Sequence, residues 1–129
     1  MTKDEKGIKL AYYEDNYVRE ALIPETERLP CVKFTYRPLN VIQAAKFTEK
    51  IIGTKSIEDT IRFMLELVSK HIVGWDLQKR DGSVVDFASI DELGHIDADL
   101  MQKIGAVVRN DRSTLAADLC VVKDAVKNL

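Results

Sequence analysis

Hydrophobic and polar positions recur along this chain with two different periods. Residues 31–37, CVKFTYR, place Val32, Phe34 and Tyr36 on one face and Lys33, Thr35 and Arg37 on the other. This is the period-two pattern of a half-buried strand, and Pro38 ends it. From Asn40 the period lengthens. Val41, Ile42, Ala45, Thr48, Ile51 and Ile52 recur at helical spacing behind an asparagine cap, with Gly53 as the stop. A second helix has the clearest pattern. Ser56 followed by Asp59 resembles a capping box, and Ile57, Ile61, Met64, Leu65, Val68 and Ile72 form an apolar stripe that Gly74 closes. Its outer face carries Glu58, Asp59, Arg62, Glu66 and Lys70, and Arg62 is spaced to pair with Glu66.

Trp75 to Leu77 and Ser83 to Val85 flank a turn at Lys79, Arg80, Asp81 and Gly82, a hairpin signal because glycine accepts the positive φ such turns need. Ser89 with Glu92 opens a short helix through Leu93. Asp97 starts another, with Leu100, Met101, Ile104, Val107 and Val108 inward and its end near Asn110. A final helix is predicted from about Ser113, with Leu115, Leu119, Val122, Val126 and Leu129 on one stripe. Residues 1–30 read as an arm, broken by Pro24 and Pro30, with a short helix predicted from Asp15 that brings Tyr17 or Val18 and Leu22 against something apolar. The arm is either a flexible leader or a segment that orders on docking. The predicted fold is mainly α, a single domain over residues 31–129 of four to five helices with a short strand and a hairpin.

A chain of 129 residues suits one core, since two would each bury too little surface. The formal net charge of −2 supplies no global field to attract nucleic acid or an anionic membrane. No run approaches the roughly 20 apolar residues of a membrane span, and the start lacks a signal-peptide core, so a cytoplasmic protein is expected. Cys31 and Cys120 stand apart without CxxC or histidine spacing, and are expected to be buried, reduced thiols. Residues 31–74 hold seven bases against four acids, whereas 75–110 hold four against seven. These complementary blocks either neutralise each other within one fold or meet between copies.

Candidate chemistry is sparse. Gly53, Thr54, Lys55 and Ser56 lack the contiguous Gly-Lys-Ser/Thr and the earlier glycine of a phosphate loop, and the stretch 76–82 has its glycine and ligand positions wrong for a calcium loop. His95, Asp97 and Asp99 alternate and would share a metal if extended, which is the basis of a metal-assisted hydrolase reading. The same spacing makes Asp97 a helix cap and sets Asp99 at the positive helix end. His71, in the last turn of the second helix, suits the negative end when protonated. Trp75 is either a partner anchor or a core plug at the helix-to-hairpin junction. Lys33, Arg37, Lys46, Lys50, Lys55 and Arg62 offer a basic patch in region 33–62, the basis of a DNA-binding regulator or antitoxin reading. Phe34 and Tyr36, however, share the inward strand face. No cofactor, metal or catalytic set is assigned.

In order, the strand VKFTYRPLN, two helices running into HIVGWDLQKRDGSVVDF, and the capped segment SIDELGHIDADLMQKIGAVV resemble the tail assembly chaperones of long-tailed phages and prophages, over about residues 31–110. The resemblance implies a non-enzymatic protein that binds the tape-measure protein, keeps its long apolar helix soluble, assists tail-tube assembly and self-associates. The implied contacts are surplus apolar positions: Phe47, Phe63, Met64, Leu67, Trp75 and Met101. Phe63 and Leu67 widen the apolar face of their helix, and methionine suits an adaptable surface.

Overall fold

The sheet begins earlier in the chain than its sequence pattern announces. In a computed structural model, which describes residues 12–14 and 16–110 and the backbone of 121–124, Arg19–Ile23 forms strand β1 and Val32–Tyr36 forms β2. Helix α1 (Val41–Gly53) and helix α2 (Ile57–His71) follow, and α2 runs directly into β3 (Ile72–Trp75). A short α3 (Ile90–Leu93), α4 (Ala98–Arg109) and β4 (Val121–Asp124) complete the order. The four strands are antiparallel in the order β3-β2-β1-β4.

The fold is therefore a mixed α/β arrangement, and the mainly α expectation is wrong. Two elements account for the difference. The sequence REALI of β1 is rich in helix formers, yet Ala21 and Ile23 lie opposite Phe34 and Val32 and are buried with them, so cross-strand packing overrides propensity. The short helix predicted from Asp15 is replaced by this strand. Val122, expected on the stripe of a final helix, lies instead in β4 opposite Ala21. The rest of that expected helix, with Cys120, lies outside the described residues.

Val32, Phe34 and Tyr36 face the core, as their alternation predicts, while Lys33 and Arg37 are exposed. The pairing of β2 with β3 shifts register at Thr35/Tyr36: Thr35 opposes Gly74 and Tyr36 opposes Ile72, leaving Val73 as the extra, exposed residue. Such a bulge lets Ile72 and Trp75 share the core face despite their odd spacing. Ile72, expected as the end of a helical stripe, is thus a strand residue.

Helices cover one face of the sheet. Leu65, Leu67 and Val68 of α2, Leu93 of α3 and Leu100, Met101, Ile104, Val107 and Val108 of α4 join the strand residues in one core, a two-layer arrangement that buries one side of each element. Gly105 allows α4 to approach α2 closely, since a β-carbon there would meet Met64 Sδ at 2.5 Å. Asn40 and Gln43 form a complete capping box on α1. Ser56, Ser89 and Asp97 cap α2, α3 and α4. Arg62 pairs with Asp59 at 2.8 Å, not with Glu66. The Lys79–Gly82 turn forms, with Gly82 at φ 91°, but its arms join only through one bridge, Gln78 to Val84. Cys31 is exposed, contrary to expectation, because it precedes the first inward residue of β2. Among the described residues no helix is long and apolar enough to cross a membrane.

Candidate protein-binding site

Helices α1 and α2 are joined by residues 54–56, and the start of α1 lies by the end of α2, where Leu39 and His71 share one lining. The seam between them opens outward as a cleft of about 220 Å³. Gln43, Lys46, Phe47 and Lys50 line it from α1, and Phe63, Glu66, Leu67 and Lys70 from α2, with Leu39 and His71 at one end. Each set follows i, i+3, i+4, i+7, one face of an α-helix.

The floor is aromatic and apolar, and cations lie over it. Lys50 Nζ sits 5.5 Å from the Phe63 ring centroid, the Arg62 guanidinium 5.8 Å from the same ring, and Arg109 of α4 is 6.0 Å from the Phe47 ring. His71 Nδ1–H donates to the Arg37 carbonyl at 2.7 Å, which leaves Nε2 as an acceptor. Burial lowers the His71 pKa, and the charges of Arg37 and Lys70 add to the effect. Burial thus favours the neutral imidazole over the protonated form that would suit the helix end.

A second apolar cavity, of about 440 Å³, lies under Leu29 and Pro30 against Leu77, Val85, Ile96 and Leu100. Three of its polar rim residues, Lys79, Glu92 and Asp97, are already engaged. Lys79 pairs with Glu92 at 3.0 Å, and Glu92 also accepts from the Asp86 N–H, which together lower its pKa. Asp97 Oδ1 accepts from the N–H groups of Asp99 and Leu100, while its other oxygen meets Arg28, which also pairs with Asp99 at 2.8 Å. The Arg28 hydrogen bond is the main reason the Asp97 carboxyl titrates below its usual range. Among the described residues no group of three or more His, Cys, Asp and Glu side chains is placed to hold a metal ion.

Of the residues singled out from sequence, Phe47, Phe63 and Leu67 come together in the α1–α2 cleft. Met64 packs toward Gly105, and Met101 is buried in the core. Trp75 is half-buried, its Nε1–H donating to the Val85 carbonyl at 2.8 Å and its ring edge-on to Phe87. Sequence reasoning missed Lys70 as a cleft residue, although its spacing of seven from Phe63 is the signal that places it there. It also missed Arg28, whose partners lie 69 and 71 residues away, a separation that leaves no local signature.

Beyond the cleft, large apolar side chains on the same hairpin face solvent. Val41 is 83% exposed, Ile52 77% and Ile57 80%, with Ile42 and Ile61 also uncovered. Val41, Ala45 and Ile52 fall on one stripe of α1, and Ile57 and Ile61 on one stripe of α2. Comparisons with family models, with curated proteins and with solved structures give no match for this chain.

Proposed function

We propose that this protein is a non-enzymatic tail assembly chaperone of a long-tailed phage or prophage. On this reading it works in the host cytoplasm, holds an apolar helix of the tape-measure protein against its α1–α2 hairpin, assists tail-tube assembly and self-associates. One observation carries the reading: α1 buries none of its thirteen residues, although apolar side chains recur along it. Isolated exposed apolar residues are ordinary, but five large β-branched side chains left to water on one helical hairpin leave apolar area for a partner to cover. A helix with its own apolar stripe relieves that cost by packing along the hairpin, in the manner of helix-in-groove recognition. The resemblance over residues 31–110 supplies the particular client.

The test is co-expression of the full chain with the tape-measure protein encoded nearest to it. The two are expected to co-purify, and the soluble fraction of the tape-measure protein is expected to rise. The double variant Ile52→Ser/Ile57→Ser is expected to lose both effects while its unfolding midpoint stays close to that of the parent, since both side chains are already in water. A tape-measure protein that neither binds nor gains solubility would sink the proposal.

A further inference from the structure

The charges around the α1–α2 cleft indicate which kind of helix fits it. Lys46 and Lys50 stand one turn apart on the α1 wall, about 6 Å along the axis, and Lys70 stands on the α2 wall. Among the described residues none of these ammonium groups has a carboxylate within ion-pair distance, whereas Arg28, Arg62 and Lys79 are all paired. Among the described residues Glu66 is the one acid of the lining, and it lies on the α2 wall. The charged groups of the α1 wall among the described residues are thus both cations, and the floor between the walls is Phe47, Phe63 and Leu67.

We infer that the cleft takes an acidic amphipathic helix from a protein partner. Its apolar edge rests on Phe47 and Phe63, with Leu67 buried behind them, and carboxylates one turn apart run along Lys46 and Lys50. This inference rests on the protein-binding role proposed above, at the cleft between the hairpin helices rather than on the exposed stripe of Val41 and Ile52, and adds the chemistry of the partner. Like-charge contact with Glu66 sets the orientation, turning the acidic edge of the occupant toward α1. A nucleic acid would also answer to lysines, but it needs free aromatic faces for its bases. Here Phe63 lies beneath Lys50 and Arg62, and Phe47 beneath Arg109. A cation already lies over each ring, so a side chain approaching a ring edge fits better than a stacked base.

The probe is a fluorescein-labelled synthetic helix with a leucine stripe flanked by glutamates at i, i+4, compared with the same peptide carrying lysines in their place. Anisotropy titration with the full chain is expected to show the glutamate peptide binding at least about tenfold more tightly at low ionic strength, an advantage that shrinks as salt screens the rim charges. Lys46→Glu/Lys50→Glu is expected to abolish or reverse that preference, and Lys46→Arg/Lys50→Arg to retain it. Equal binding of the two peptides, or a preference untouched by the charge reversal, overturns the inference. So does displacement of the glutamate peptide by a single-stranded oligonucleotide at physiological salt. The two proposals fail separately. If the two peptides bind the parent equally while the parent still solubilises the tape-measure protein, the charge preference falls and the chaperone role stands. If the parent binds the glutamate peptide with the expected preference but never the tape-measure protein, the charge preference stands and the tail-assembly role falls.

Discussion

Helices α1 and α4 are nearly equal in length and both amphipathic, yet they stand at opposite ends of the range of burial. α4 buries seven of its twelve residues, from Leu100 to Val108, against α2 and the sheet. α1 buries none of its thirteen. The apolar period that predicts a helix says that a face exists, but not that anything covers it. α4 draws its stability from the core and lends stability to it. α1 is held by its capping box, by contact with α2 through the Phe47 side of the helix, and by Lys50 near its negative end. The unused apolar surface of α1 is consistent with the binding role proposed for it.

The largest expected effect tests this contrast directly. Ile104→Ala in α4 opens a cavity where the parent side chain is fully enclosed, and is expected to cost about 3 kcal/mol. Ile52→Ala in α1 removes a side chain already in water, and its effect is expected to stay within about 0.5 kcal/mol. Urea denaturation of the two variants measures both. Comparable losses would show that α1 belongs to the cooperative core and would remove the distinction between the helices.

Capping gives a smaller and more local test. Asn40→Ala and Asp97→Ala each remove a side chain that holds first-turn N–H groups, a loss of about 1 kcal/mol at either helix. The difference lies in where the loss appears. For Asp97 the helix is part of the core and the carboxylate also holds Arg28, so the midpoint of global unfolding should fall. For Asn40 the loss should stay in α1, seen as faster amide exchange in that helix with little change in the global midpoint. A global shift for Asn40→Ala equal to that for Asp97→Ala would again merge the two regions.

The same contrast explains how much could be read in advance. Caps at Asn40, Ser56, Ser89 and Asp97, the inward face of β2, and the glycine turn at Gly82 are local codes, and each is found where its spacing places it. β1 was hidden because Glu20, Ala21 and Leu22 favour a helix, and only the partner strands β2 and β4 make an extended REALI worthwhile. The end of α2 was misplaced because Ile72 continues the helical stripe. It is the bulge opposite Tyr36 that makes it a strand residue. Of the site, Phe63 and Leu67 were legible as an apolar widening of α2. The cationic α1 wall was visible only as part of a diffuse basic patch, since bringing Lys46, Lys50 and Lys70 to one cleft requires the hairpin itself.

His71, the last residue of α2, joins the hairpin to the sheet and gives the smallest and most conditional effect. Its Nδ1–H bond to the Arg37 carbonyl ties the helix end to the segment following β2, and burial lowers its pKa below 6.5. The folded protein therefore takes up this proton less readily than the unfolded chain. Between the folded-state pKa and 6.5 the unfolded chain binds more protons, so stability is full above about pH 6.5 and declines as pH falls through that window. The carboxyls of Asp81, Glu92 and Asp97 act lower down. Hydrogen bonds from Ser83, from the Asp86 N–H with Lys79, and from Arg28 lower their pKa values below 3.8 to 4.5, so their contribution is present above that range and is lost in stronger acid. The His71 window opens at a higher pH than that of the carboxyls, so mutation can separate the two. His71→Gln keeps a donor for the Arg37 carbonyl but cannot titrate, and it should flatten the fall in urea midpoint between pH 7.5 and about 5 while leaving the steeper fall below pH 4 intact. An unchanged slope between pH 7.5 and 5 in that variant would mean that His71 does not link protonation to folding. A flattened slope accompanied by unchanged α1 amide exchange would place the titrating contact on the core side of the boundary, with α4 and the sheet rather than with α1.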